Sequence, residues 1–76
     1  MALKQERLPG RIVKDPEILL GKPTVRGTRI PVHLVLEHLA YNPDLADLFA
    51  AYPRLTVDDV KACLTYAQGV CATKYQ

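Results

Sequence analysis

Two cysteines, two histidines and a pair of adjacent aspartates are the residues of this chain best equipped for chemistry. Cys63 and Cys71 stand eight positions apart in a segment that reads as helix. Eight helical residues rise about 12 Å, whereas a disulfide wants Cα atoms roughly 5.5–6 Å apart. Both are therefore expected as reduced, buried small hydrophobes rather than nucleophiles. His33 and His38, five apart on a helix, point in different directions, and neither pairs with a cysteine at a zinc spacing. They are expected at the helix surface. Asp58 and Asp59 diverge by about 100° on a helix, and capping explains both. The chain has no serine. No convergent catalytic set, metal site or cofactor is expected, nor a small-molecule substrate, and the chain reads as a binding module rather than an enzyme.

The segment from Gly21 to Arg29 invites comparison with a phosphate loop. The Walker pattern needs four residues between its glycines and a Lys-Ser/Thr pair after the second. Here five residues separate Gly21 from Gly27, Thr28-Arg29 follows, and Ile30-Pro31 would crowd a phosphate away from the helix amides. The glycines read as turn formers instead.

These residues must be positioned by a single small domain, because 76 residues hide only about 60% of the surface of the unfolded chain. With no disulfide and no metal to supplement so small a core, self-association as a homodimer or higher homo-oligomer is expected. The first thirty residues contain no apolar run longer than Ile18-Leu19-Leu20, so no secretory or membrane segment is expected and the cytosol is the expected compartment. Charge is divided unevenly. Residues 1–36 carry seven cations (Lys4, Arg7, Arg11, Lys14, Lys22, Arg26, Arg29) against Glu6, Asp15 and Glu17, a net +4. Residues 37–76 carry Arg54, Lys61 and Lys74 against five carboxylates, a net −2. The halves should meet different surfaces, or each other in a dimer.

Residues 1–10 lack periodicity and end in Pro9-Gly10, a mobile tail by this reading. Arg11–Lys14 and Thr24–Arg26 are short β-like runs separated by Asp15-Pro16 and by Gly21-Lys22-Pro23, a turn in which Gly21 takes positive φ and Pro23 sets the chain direction. Gly27 breaks the second run, Thr28-Arg29-Ile30 follows, and Pro31 is placed to open a helix as its first residue. Val32, Val35, Leu36 and Leu39 form one face of that helix, which should stop near Tyr41 because Asn42 accepts the left-handed conformation and Pro43 cannot continue. Asp44 caps a second helix with an inner face of Leu45, Leu48, Phe49 and Tyr52, ended by Pro53. Thr56 caps a third, with Asp59 completing a shortened capping box and Leu55 and Val60 placed as a hydrophobic staple. Its buried stripe is expected to be Val57, Val60, Leu64, Ala67 and Cys71, and Gly69 should weaken its last turn.

The expected fold is mostly α: a short N-terminal β-arm or hairpin over residues 11–31, then three helices over 32–72 in a helix-turn-helix-like, homeodomain-like bundle, with a tail at 73–76. The short join at Pro53-Arg54-Leu55 is what suggests helix-turn-helix geometry and hence DNA. Against that, the third helix would offer a groove Asp58, Asp59 and Lys61 at the end that should approach the bases. The basic arm is the better nucleic-acid candidate.

Asp15-Pro16-Glu17-Ile18, the run Gly21-Lys22-Pro23-Thr24-Val25-Arg26-Gly27-Thr28-Arg29-Ile30-Pro31-Val32, Tyr52-Pro53-Arg54-Leu55-Thr56 with Asp59-Val60, and Leu64-Thr65-Tyr66-Ala67 together resemble the signature of the domain of unknown function 433 family. The resemblance spans roughly residues 11–68. It implies a homeodomain-like trihelical protein with an N-terminal β-arm, akin to antitoxins whose partner is a PIN-like ribonuclease. Where the family often has glycine after the first helix, this chain has Asn42, preceded by Tyr41 in place of a small residue. Lys22, Arg26, Arg29 and Arg54 are the expected partner- or nucleic-acid-binding residues. Gly21, Pro23, Gly27, Thr28, Ile30, Pro31, Asn42, Pro53 and Thr56 are the expected structural positions of arm and turns. The reading is an antitoxin-like module that neutralises a PIN-like ribonuclease and binds its own promoter DNA; the alternatives are a stand-alone DNA-binding regulator and a structural dimerisation adaptor.

Overall fold

The computed structural model describes residues 10–74; of the tail expected over residues 1–10 only Gly10 falls in that range, and residues 1–9 and the last two residues lie outside it. The chain is mostly helical, with a two-stranded antiparallel hairpin preceding three helices. Strand β1 (Ile12–Val13) pairs with β2 (Thr24–Val25) in the register Ile12 to Val25 and Val13 to Thr24. Helices α1 (Val32–Tyr41), α2 (Leu45–Ala51) and α3 (Val57–Lys74) follow. The inward residues of the hairpin, Ile12 and Val25, enter the same core as Val32 and Val35 of α1, Leu48 of α2, Leu55, and Val60, Ala62 and Cys63 of α3. α1 packs on both α2 and α3, and β1 packs on α3. The arm is thus part of the core rather than an appendage.

The connection inside the hairpin reverses the chain twice. The Asp15 carboxylate accepts the Glu17 N–H at 2.9 Å, an Asx turn that starts the reversal. Leu19, Leu20 and Gly21 then follow with φ of 52°, 59° and 85°. Gly21 takes positive φ as expected, but the two leucines before it do so as well, at a steric cost of about 1–2 kcal/mol each. After β2, Gly27 turns with φ +80°, and the Thr28 hydroxyl closes the loop by donating to the Val25 carbonyl and accepting from the Ile30 N–H. Pro31 is the N-cap of α1, extended at φ −73° and ψ 149°, rather than its first helical residue. The Val32 N–H that opens the helix donates to the Pro23 carbonyl at 2.9 Å, so one of the orphan amides of α1 is satisfied by the arm.

Asn42 ends α1 in an extended conformation, φ −149°, and not in the left-handed one expected. Its side-chain oxygen accepts the Asp44 N–H at 3.1 Å, and Asp44 in turn caps α2 through Ala46 N–H. Two short polar side chains in series therefore make the turn, and no left-handed residue is needed. His38, on the last turn of α1, reaches Asp47 of α2 at 2.9 Å and stacks edge-on to Tyr52. Leu45, expected inside, is exposed.

α3 starts as its cap residues dictate. The Thr56 N–H donates to Asp59 at 3.0 Å and the Thr56 hydroxyl accepts from the Asp59 N–H at 3.2 Å, a reciprocal box in which the shorter Asp replaces the usual Glu. Leu55 and Val60 are both buried, as a staple requires. The helix runs through Gly69 to Lys74, two residues past the expected end. Its buried face differs from the expected stripe: Asp59, Val60, Ala62 and Cys63 are buried with Tyr66 and Ala67 half-buried, while Val57, Leu64 and Cys71 are exposed. The face is rotated toward Asp59 because that carboxylate also binds Arg11 of the arm, at 3.2 Å, and Asp58 holds the same guanidinium at 3.6 Å.

Thr56→Ala should cost about 1 kcal/mol, the usual value of a lost cap. Asp59→Ala, which breaks the other half of the box and the link to Arg11 as well, should cost about 2 kcal/mol. Urea denaturation of the two variants against wild type measures both; equal costs would mean that the Arg11 link contributes nothing.

Candidate functional site: an arginine-lined depression between the arm and the helix turn

Two segments 27 residues apart meet on one side of the molecule. The Arg54 guanidinium, from the turn between α2 and α3, donates to the Gly27 carbonyl at 3.1 Å. Gly27 must be left-handed to make this turn, while a Cβ there would meet nothing within 4 Å, so its requirement is conformational. The join borders an open depression of about 480 Å³ lined by Ile18, Gly27, Thr28, Arg29 and Arg54. Two of these five residues are cationic, none is acidic, and Arg29 has no side-chain partner among the described residues. An open, carboxylate-free surface carrying two guanidiniums suits planar oxyanions, which arginine can hold with two parallel N–H bonds.

The expected binding residues separate here. Arg29 and Arg54 share the depression. Arg26 is exposed on the other side of Gly27, and its Nε donates to the Gly10 carbonyl at 2.9 Å, so it fastens the start of the arm. Lys22 is exposed at the end of the left-handed turn and does not line the depression. Among the structural positions, Thr28 is both loop tie and lining residue, Gly21 and Gly27 are the positive-φ turns, and Pro23 and Pro31 sit where arm and α1 join. Ile30 packs against the core, Pro53 lies in the exposed turn beside Arg54, and Thr56 caps α3.

Arg11 was not singled out by sequence reasoning. The only signal for it was charge: it belongs to the basic half, and its partners Asp58 and Asp59 belong to the acidic one. Its ion pairs also change what α3 presents. Asp59 is 7% exposed and engaged, so the first turn of α3 does not offer two free carboxylates to solvent.

Cys63 is fully buried and Cys71 exposed; both are free thiols. Cys71 is thereby a correction to the expected burial, following from the rotation of α3. Burial, with a smaller contribution from the Asp59 charge, pushes the Cys63 thiol from 9.0 up to about 11. Neither His33, exposed, nor His38, engaged by Asp47, joins a cysteine, and among the described residues no three metal-binding side chains cluster. Among the described residues, no helix is long and apolar enough to cross a membrane.

A hairpin docked onto three helices, with Arg29 and Arg54 at their junction, defines a small α domain with a built-in β-arm. The chain belongs to the family described as "Protein of unknown function (DUF433)", whose profile matches residues 12–67. It is 33% identical over 58 residues to the uncharacterised protein y4eO of Sinorhizobium fredii, covering 76% of this chain and 26% of that protein. It also resembles the crystal structure of a DUF433 member from Anabaena variabilis, with a TM-score of 0.70 and 31% identity over 76% of this chain and 57% of that one. The chain thus spans about a quarter of the length of the curated relative and somewhat over half of the crystallised one.

The two thiols should differ in their access to reagent. Ellman's reagent at neutral pH should find one reactive thiol, Cys71, in the native protein and two after denaturation. Because the folded pKa of Cys63 is raised, the unfolded chain ionises there first, so the Cys63 contribution to stability should be constant below pH 9.0 and fall between 9.0 and about 11. Cys63→Ala should remove that fall; a Cys63 that reacts at native rates near pH 7 would contradict the burial.

Proposed function

We infer that this chain is an antitoxin-like binding module that holds a partner protein through Arg29 and Arg54. The single observation that carries the reading is the depression itself: two guanidiniums, no lining carboxylate, and Arg29 without a side-chain partner among the described residues. A cation kept free at an open surface is available for a partner's carboxylates, where charge-assisted bonds are about twice as strong as neutral ones.

The partner class comes from the family resemblance. A PIN-like ribonuclease binds its Mg²⁺ through a cluster of carboxylates, and a guanidinium placed among them would neutralise the charge that attracts the metal. The chain acts by occupancy in this reading, with no bond made or broken by its own residues, and is not an enzyme. DNA is a weaker occupant. The first turn of α3, where a recognition helix would approach the bases, holds its one basic partner, Arg11, between two aspartates.

The test is a pull-down from the native host with the tagged chain, repeated with Arg29→Glu/Arg54→Glu and with Lys61→Glu on α3 as a charge-reversal control. A stoichiometric partner with an acidic cluster should be retained by the wild type and the control. The double reversal should lose it by roughly tenfold or more per arginine, and the purified partner should cleave RNA until the wild-type chain is added. Full inhibition by the doubly reversed chain would refute the reading. So would recovery of promoter DNA alone with tight, salt-sensitive binding, which would install the regulator in its place.

A further inference from the structure

We propose that Leu20 is the apolar anchor of the partner interface, and that the partner therefore presents an apolar pocket flanked by carboxylates; this rests on the reading of Arg29 and Arg54 above. An exposed leucine alone is ordinary. What sets Leu20 apart is the conjunction of its exposure, 94%, with its backbone, φ 59°. It is the middle of three successive left-handed residues, Leu19, Leu20 and Gly21. A turn that needed only to reverse the chain would do so more easily with glycine or asparagine at position 20, which enter this region with little steric cost. Leucine there is unfavourable twice, by strain and by leaving a whole aliphatic side chain in water. Folding gains nothing from it that the structure shows, so its return lies in another equilibrium, and binding is the one in which an aliphatic side chain held clear of the surface is useful.

Position supports the assignment. Leu20 lies two residues from Ile18, which lines the arginine depression, and the Gly21 N–H closes back onto the Ile18 carbonyl at 3.0 Å. Lys22 follows on the exposed side. Ile18 thus shares the depression with Arg29 and Arg54, and the turn that leaves it carries Leu20 two residues on and Lys22 four residues on. Of the turn's own carboxylates, Asp15 is engaged by the Glu17 N–H, and Glu17 is exposed. An apolar centre with a cationic rim is complementary to a protein surface with an apolar pocket and acidic edges. A phosphate backbone would match the arginines but leave Leu20 in water.

The strain makes the proposal separable from misfolding. Leu20→Gly should raise the melting temperature, by about 4 °C, since it relieves the left-handed strain and removes no packing. It should nevertheless retain roughly tenfold to hundredfold less of the arginine-dependent partner, the value of one buried leucine side chain. As a direct probe, the full chain carrying benzoylphenylalanine at position 20 is irradiated in the native host. The crosslink is expected on that same partner, at a peptide with apolar residues next to Asp or Glu. A Leu20→Gly chain that is as stable as or more stable than wild type and binds equally well overturns the anchor while leaving the role of the arginines standing. A crosslink only to a second copy of the chain, or none, overturns it likewise. If no partner depends on Arg29 and Arg54 at all, both readings fall together.

Discussion

The Asp59 carboxylate makes two bonds at once, taking the Thr56 N–H at the start of α3 and the Arg11 guanidinium from the arm, and is 7% exposed while doing so. A buried carboxylate is costly unless its lone pairs are occupied, and here the occupants come from two distant parts of the chain. The same carboxylate therefore fixes where α3 begins, which face of α3 turns inward, and how the hairpin lies on the helices. Arg11 is adjacent to Ile12, so placing its guanidinium also places Ile12 and its cross-strand partner Val25 in the core. With β2 placed, the Gly27–Arg29 loop that follows it falls beside the α2–α3 turn and the arginine depression exists.

Seen this way, the site is a by-product of joining arm to helices. Arg54 is tied to the loop carbonyl of Gly27, Arg26 to Gly10 and Arg11 to the aspartates of α3. Three arginines spend hydrogen bonds on internal connections, and Arg29 stands apart from them. Arg54 is employed twice, tied to Gly27 while it lines the depression, so Arg29 offers a partner its whole guanidinium and Arg54 offers the N–H groups its Gly27 bond leaves over.

Local chemistry was legible in the sequence and long-range placement was not. The Thr56 box, the Asp44 cap and the Gly21 and Gly27 turns were readable because each depends on residues within about three positions. The face of α3 was misread because hydrophobic periodicity favoured Val57, Leu64 and Cys71, and nothing local says that an aspartate will be buried by an arginine 48 residues away. Arg29 and Arg54 were both recognisable as candidates, but their meeting depends on the Arg54 bond to Gly27. The left-handed backbone at Leu19 and Leu20 had no signal at all, since aliphatic residues avoid that region. That is also why it is informative once seen.

The most direct measurement is hydrogen–deuterium exchange of the chain alone and in complex with the protein it retains from its host. Binding through the arginine depression predicts new protection concentrated at residues 18–29 and 52–56, with the outer face of α3 unchanged. Protection confined to α3, with the arm loop and the α2–α3 turn exchanging as in the free chain, would contradict the account.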